Sequence, residues 1–154
     1  MPSTPAPPPS VSRLIQIKRI DHVAIAVADR DATAQALADL FGLETGAREH
    51  VAAQRTDVVF LHAGDEGGAA LELCAPAGNV SLQRFLDRRG PGLHHICYEV
   101  DDLPGALAAL KAAGIALIDE APRPGARGHQ VAFLHPAATG GVLFELCSPP
   151  EATP

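Results

Sequence analysis

The sequence lacks the features that mark nucleic-acid-binding, membrane and secreted proteins. Its formal net charge is −6 and it has no run of basic residues, which argues against nucleic acid and anionic membranes as main partners. No apolar stretch approaches the roughly 20 residues needed to span a bilayer. The proline- and serine-rich start, MPSTPAPPPS, has no apolar segment of the secretory-signal type. Its composition predicts instead a disordered or polyproline-like tail over residues 1–13.

Cysteine is also scarce, and its count of three is odd. We interpret Cys74, Cys97 and Cys147 as buried free thiols, because free cysteine behaves as a small hydrophobe and a reducing cytosol keeps thiols unpaired. The expected location is therefore the cytoplasm. The chain that follows the tail is long enough for one compact domain, which we predict over residues 17–149.

What the sequence does contain is an internal repeat. VVFLHAGDEGGAALELCAP aligns without a gap with VAFLHPAATGGVLFELCSP, and IDHVAIAVAD aligns with LHHICYEVDD at the same offset. His22 thereby matches His95, and Glu72 matches Glu145. A self-similar chain is built from similar structural units. Since one unit alone would leave a large sheet face uncovered, we expect two modules, at about 17–76 and 90–149, to pack as one body.

Local patterns predict the order of elements within each module. Each half is predicted as a strand, a helix and two or three further strands. Helices are expected after Asp29 or Asp31, after Asn79 and after Asp102, ending at Gly42, Gly90 and Gly114. The predicted strands are IKRIDHVAIAVA, DVVFLHA, AALELCA, LHHICYEV, GIALIDE, QVAFLH and GVLFELC. Proline and glycine predict an irregular loop over APRPGARGH.

Strand alternation places four polar side chains on one face of the predicted sheet. These are His22, Glu72, His95 and Glu145, and we expect the helices to cover the opposite, apolar face. Two histidines and two glutamates would then meet in a cleft between the modules. Buried carboxylates without a cationic partner are costly. A divalent ion such as Mn²⁺, Co²⁺, Ni²⁺, Fe²⁺ or Zn²⁺ would compensate them through two nitrogen and two oxygen ligands.

The segments IDHVAIAV, GLHHICYEVDD and especially PRPGARGHQVAFLHPAATGGVLFELCSP resemble the methylmalonyl-CoA epimerases of the vicinal oxygen chelate superfamily, which includes glyoxalase I. The resemblance implies an α+β fold in which two βαβββ modules form a cupped mixed sheet around a metal site. It implies one divalent ion per chain, Co²⁺ favoured over Mn²⁺, Ni²⁺ and Zn²⁺. The implied metal ligands are His22, Glu72, His95 and Glu145. We also expect a homodimer that acts on a small acyl-CoA substrate of propionate metabolism.

The activity implied is interconversion of (2R)- and (2S)-methylmalonyl-CoA by metal-assisted removal of the C2 proton through an enolate. Inversion needs an acid/base group on each face of the planar intermediate, which makes Glu72 and Glu145 the catalytic candidates. Gln54 lies in a segment that resembles a substrate-side segment of the epimerases. Some epimerases have an acidic residue where this chain has Val58, so that role does not transfer. Four arginines are candidates for binding CoA phosphates or for solvated surface, namely Arg88, Arg89, Arg123 and Arg127.

Other interpretations stay open at this point. The chain could be a glyoxalase I-like lyase, another acyl-CoA-acting member of the superfamily, or a metal-free ligand-binding protein. His62 and His135 also repeat, but both lie at strand ends and are expected to be structural or surface residues. Alternation predicts that His94 lies on the face opposite His95.

Overall fold

The structure is a computed structural model that describes residues 13–64 and 67–152. The predicted N-terminal tail lies outside these residues, apart from Arg13 at its end. Within the described ranges, no helix is long and apolar enough to cross a membrane.

Within residues 13–64 and 67–152, eight strands and three α-helices follow one another. The first module holds β1 (Arg19–Ala26), α1 (Arg30–Phe41), β2 (Glu44–Val51), β3 (Thr56–His62) and β4 (Ala70–Pro76). The connecting helix is α2 (Val80–Arg89). The second module holds β5 (Gly92–Glu99), α3 (Leu103–Ala112), β6 (Arg123–Pro124), β7 (Gln130–Phe133) and β8 (Phe144–Ser148). Single 3-10 turns span Ala52–Gln54, Ala126–Gly128 and Pro136–Ala138.

All eight strands form one mixed, curled sheet in the order β2-β3-β4-β1-β5-β8-β7-β6. Strand β1 pairs in parallel with β4, and β5 pairs in parallel with β8. The two modules join where β1 and β5 pair antiparallel at the centre of the sheet. The strand order is therefore symmetric about this junction, and the predicted α+β fold of two βαβββ modules is confirmed.

The helix boundaries follow the predicted capping residues. The side chains of Asp29, Asn79 and Asp102 each accept a hydrogen bond from a main-chain N–H in the first turn of α1, α2 and α3. Such caps satisfy donors that the helix itself leaves unpaired. Helix α1 ends at Gly42, whose φ of +67° is a conformation that glycine adopts without steric cost.

Two strand predictions differ from the structure. GIALIDE forms only an isolated bridge, between Leu117 and Leu134. The main-chain N–H groups of Ile118 and Asp119 both donate to the Phe133 carbonyl, so the segment hooks onto β7 instead of continuing a ladder. Short strand β6 lies instead within the segment predicted as an irregular loop.

The sequence patterns do not predict strand β2, because its residues lack an alternation of apolar and polar side chains. Its residues, ETGAREHV, contain only one buried side chain, Val51. An edge strand that faces solvent does not need the apolar alternation that identifies half-buried strands.

The sequence patterns predict that all helices cover one face of the sheet, but in the structure they lie on both faces. Helix α1 packs on Val59, Leu61 and Leu73, and α3 lies likewise on the outer face. Helix α2 instead lies on the inner face, where Leu82 packs with Ala24 and the other small residues that line it. Helix α2 therefore forms a wall of the cleft that Glu72 and His95 line.

Candidate metal centre and substrate cleft

The four predicted polar residues lie on the four central strands. Glu72 is on β4, His22 on β1, His95 on β5 and Glu145 on β8, which are consecutive neighbours in the sheet. Between 3% and 7% of the surface of each is exposed. Because the strands are adjacent and the side chains share one face, His22, His95 and Glu145 form one close group, and Glu72 joins it through His22.

The geometry leaves two imidazole nitrogens facing two carboxylates. His22 Nε2 lies 3.3 Å from Glu72 Oε2 and 3.5 Å from Glu145 Oε1, and His95 Nε2 lies 3.9 Å from Glu145 Oε1. Ligand atoms of His22, His95 and Glu145 all lie within 4.8 Å of one another. Neither Nε2 atom has a hydrogen-bond partner among the described residues. Two orphaned nitrogens beside two buried carboxylates are a donor set that fits a divalent cation.

Burial has opposite effects on the two residues of the second module. It raises the pKa of Glu145 to about 7, the nearby charge of Glu72 adding to the effect and His22 opposing it. Burial likewise holds the pKa of His95 well below its usual range, and the neighbouring imidazoles of His22 and His94 lower it further. His95 is thus a neutral imidazole with a free lone pair, and Glu145 can exchange a proton near neutral pH.

The histidine of the first module behaves differently. Burial alone would lower the pKa of His22, but a hydrogen bond from its ring to Asp21 and the charges of Glu72 and Glu145 raise it overall. Burial similarly opposes ionisation of Asp21, yet its bonds to His22 and Arg127 hold the pKa of this carboxyl well below its usual range. Asp21 is therefore a buried anion beneath the site.

Asp21 and His94 occupy equivalent positions in two β-bulges. The register of β1 on β5 skips Asp21 between Ile20 and His22, and it skips His94 on the other strand. A bulge inserts one unpaired residue and breaks the alternation of faces. Asp21 Oδ2 consequently lies 2.7 Å from the Nδ1 atom of His22.

The second bulge corrects the expectation for His94. Its Nδ1 atom lies 2.9 Å from the Nδ1 atom of His95, and its ring packs edge-on against Phe85. His94 therefore lines the cleft beside His95 and does not lie on the opposite face. Alternation along the chain failed here because it assumes an uninterrupted ladder.

The other predicted residues lie at different depths. Gln54 and Arg123 line a cleft of about 350 Å³ that Glu72 and His95 also line, and Gln54 borders the inner cavity as well. Val58 is buried and lines a small inner cavity whose walls also include His22, Glu72 and Glu145. Arg127 borders that same inner cavity and does not line the outer cleft.

The repeated histidines at the strand ends lie away from the site. His62 and His135 are exposed, and His135 Nδ1 accepts a hydrogen bond from the Ala137 N–H. Both therefore lie on the surface, and the structural or surface role expected for them stays a prediction.

The three cysteines are buried free thiols, as predicted. Two of them lie next to the glutamates. The thiol of Cys74 donates to Glu72 Oε1 at 2.6 Å, and Cys97 faces Glu145 across the β5–β8 pair. Burial raises the pKa of both thiols far above the ordinary value, so both are neutral hydrogen-bond donors.

A second groove, of about 610 Å³, continues from the cleft along α2. The two share Ser81, His94, His95 and Leu143. The far part of the groove is lined by three arginines of α2, Arg84, Arg88 and Arg89. A polar centre thus opens through an apolar passage to a cluster of cations.

Residues 21–133 match the model of the glyoxalase/bleomycin resistance protein/dioxygenase superfamily. The chain therefore belongs to this superfamily. It is 38% identical over 133 residues to the ethylmalonyl-CoA/methylmalonyl-CoA epimerase of Cereibacter sphaeroides, covering 84% of this chain and 97% of the relative.

Solved structures of epimerases are also similar to this chain. The methylmalonyl-CoA epimerase from Mycobacterium tuberculosis superposes with a TM-score of 0.82 at 32% identity, covering 91% of this chain and 93% of that one. A methylmalonyl-CoA epimerase in complex with methylmalonyl-CoA and NH4+ superposes with a TM-score of 0.80 at 30% identity, covering 87% and 96%.

Proposed function

We propose that this protein is a methylmalonyl-CoA epimerase, which inverts C2 of methylmalonyl-CoA by removing a proton from one face and returning one to the other. The observation that carries the proposal is the placement of Glu72 and Glu145. They come from equivalent strands of two modules and face each other across two histidines. The similarity to a structure holding methylmalonyl-CoA supports the same substrate class.

The donor set of His22, Glu72, His95 and Glu145 would hold one divalent ion, for which Co²⁺ is our first candidate. When bound, such an ion stabilises the negative charge that develops on the substrate oxygens as C2 loses its proton. The protein's own contribution is to keep the four donors together. Their strands are hydrogen-bonded neighbours, so each donor is held by main-chain pairing on both sides.

The two glutamates supply the proton transfers. Since one stands on β4 and the other on β8, they approach the reacting carbon from opposite sides. Without metal, burial raises the pKa of Glu145 to about 7; a bound ion would lower it, so Glu145 would have to leave the ion to act as a base. Cys74 donates to one oxygen of Glu72 and leaves the other facing the site.

The groove along α2 suits the rest of an acyl-CoA. The acyl end would lie in the cleft beside Gln54 and Arg123, and the pantetheine arm would follow the apolar passage. The phosphates would then reach Arg84, Arg88 and Arg89. The chain as a whole carries a charge of −6, so a local group of three arginines is a selective attraction for an anionic ligand.

A single turnover in D2O tests the proposal. With a separate base on each face, solvent deuterium enters the inverted product, and little exchange occurs in recovered substrate. Glu145→Gln should abolish inversion and leave exchange from one stereoisomer only, and Glu72→Gln should leave exchange from the other, because glutamine keeps the carbonyl oxygen but cannot take up a proton.

Glu44→Gln, at an exposed glutamate on β2, is the matched control and should epimerise at the wild-type rate. Wild-type rates in both site variants would exclude these two residues as the bases. Failure of the unaltered protein to exchange C2 of methylmalonyl-CoA would exclude the epimerase itself and favour a lyase or a different acyl-CoA. The homodimeric state and the cytoplasmic location remain predictions.

A further inference from the structure

We infer that Arg127 is a positioning residue, which fixes the orientation of His22 by compensating the buried charge of Asp21. The two contacts run in series, from the Arg127 guanidinium to the Asp21 carboxylate and from that carboxylate to Nδ1 of His22. Arg127 belongs to the second module and His22 to the first. The part of this inference that concerns turnover rests on the proposed function, and the part that concerns metal affinity does not.

The first support is the environment of Asp21. Its side chain is wholly buried, and a buried carboxylate is stable only when it is paired and hydrogen-bonded. It has two cationic neighbours among the described residues, Arg19 and Arg127. Arg19 is shared, because its Nε atom donates to Glu99 at 2.7 Å. Of these two arginines, Arg127 is therefore the one whose guanidinium pairs with Asp21 and with no other described carboxylate.

The second support is the way in which Arg127 is held. The central carbon of its guanidinium lies over the Phe60 ring, 3.9 Å from the ring centroid. Its main-chain N–H donates to Glu49 Oε2 at 2.9 Å, and its φ of +57° is a conformation that residues other than glycine rarely adopt. A loop that accepts this backbone and stacks the side chain on an aromatic ring places the charge at one point.

Two glycines determine the shape of the loop that carries Arg127. Gly125 has no room for a Cβ atom, which would come within 2.6 Å of Val131 Cγ1. Gly128 has a φ of +72°. Gly125 lets the turn that carries Arg127 approach β7 closely, and Gly128 permits the left-handed backbone that follows it.

The contacts of Asp21 set the tautomer of His22 and the orientation of its ring. When Asp21 accepts from Nδ1–H, the lone pair of His22 lies on Nε2, facing Glu72 and Glu145. At the equivalent position the second module has His94, a neutral imidazole, beside His95. The two histidines of the site are therefore oriented by different chemistry, and only His22 depends on the opposite module.

The test compares Arg127→Met, Asp21→Asn and the double variant with the wild-type protein. Co²⁺ affinity is measured by calorimetry, the ligand field by the visible absorption of bound Co²⁺, and turnover by kcat and KM for methylmalonyl-CoA. Arg127→Met should weaken Co²⁺ binding by ~10-fold to ~100-fold, the usual effect of losing a partner behind a ligand. It should also shift the Co²⁺ spectrum and lower kcat, with KM little changed.

The double variant distinguishes a relay, in which Arg127 acts on His22 through Asp21, from two independent effects. Because Arg127 acts through Asp21, adding Arg127→Met to Asp21→Asn should cost Co²⁺ affinity little more than Asp21→Asn alone. Arg127→Lys keeps the charge without the planar fork and should restore part of the affinity. Asp57→Asn is the control, since His50 and Asp57 form an Asp–His pair of similar length, 2.8 Å, on the exposed surface.

Unchanged Co²⁺ affinity and spectrum in Arg127→Met, with a raised KM, would overturn the inference and make Arg127 a substrate residue. Additive losses in the double variant would also overturn it. If Arg127→Met does not fold, Asp21→Asn decides: a Co²⁺ affinity and spectrum equal to those of Asp57→Asn would contradict the relay. Should the wild-type protein bind Co²⁺ but fail to epimerise, the metal measurements still test the relay.

Discussion

His22 and His95 are the side chains whose removal should separate metal binding from folding. Each presents a buried Nε2 atom without a hydrogen-bond partner among the described residues, and each stands on a strand held by main-chain bonds to both neighbours. The ring can therefore be removed without breaking the sheet.

We expect His22→Ala and His95→Ala to keep the circular dichroism spectrum of the wild type. Their metal content and activity should fall by more than the ~10–100-fold typical of an outer-shell loss. Elemental analysis and an epimerase assay measure both. His62→Ala, at an exposed and repeated histidine, is the control and should change neither. Full occupancy and activity in a ligand variant would refute the assignment of that histidine.

Glu145 makes the stability of the metal-free protein depend on pH. Burial raises its pKa from an ordinary 4.5 to about 7, so the folded state binds a proton that the unfolded chain has released. That contribution to stability is fully present below about pH 4.5 and is lost as pH rises through about 7, a change of a few kcal/mol in unfolding free energy. The raised pKa of His22 acts in the same direction.

Because a divalent ion binds the ionised carboxylate, Co²⁺ should raise Tm more at about pH 8 than at about pH 5. Thermal melts with Co²⁺ and with a chelator at both pH values measure this difference. Glu145→Gln cannot titrate, so its metal-free melts should depend less on pH. A metal-free wild-type Tm that falls between pH 5 and pH 8 no more than that of Glu145→Gln would contradict the argument.

Among the elements, the pair β1–β5 does most to shape the site. One bulge in each strand brings a residue that alternation would place on the outer face beside a central histidine. The first module thereby gains an anion behind its histidine, Asp21, and the second gains a neutral ring, His94. Equivalent bulges at equivalent positions show that the two halves share local geometry and differ in the side chain that uses it.

Helix α2 is the element on which recognition of CoA should depend. Arg84→Ala and Arg88→Ala should each raise KM for methylmalonyl-CoA by ~2-fold to ~5-fold with kcat unchanged, since an exposed charge pair contributes up to about 1 kcal/mol. A methylmalonyl-pantetheine substrate, which has no nucleotide phosphates, should be turned over equally by the variants and the wild type.

The control for the α2 arginines is Lys111→Ala. It removes one positive charge on α3, where Lys111 pairs with Glu120 at the surface. An equal rise of KM in this variant would mean that the arginine variants act only through net charge. An unchanged KM in both arginine variants would show that this groove does not bind CoA.

For the whole molecule, the symmetric strand order explains why the chain repeats itself. Each module contributes one histidine and one glutamate from its two inner strands, and the modules meet along β1 and β5. Neither half alone completes the donor set or faces both sides of a substrate. The inferred relay adds a second dependence, since Arg127 of one module supports His22 of the other.

The repeat, the helix caps and the four central polar residues were predictable because their signals are local and periodic. Asp29, Asn79 and Asp102 act on their own helices, and the faces of Glu72 and Glu145 follow from an unbroken period of two. The repeat then supplied the one long-range fact that local patterns lack, which is that two such faces belong to one sheet.

The bulges, the inner position of α2 and the partners of Asp21 were decided only by the tertiary structure. A bulge depends on how two distant strands come into register, and in β1 and β5 nothing in either segment alone marks it. Arg127 reaches Asp21 across 106 positions of the chain, so its role depends on the packing of one module against the other. Composition and alternation describe a residue's own segment, whereas the charge, tautomer and orientation at this site come from neighbours supplied by another.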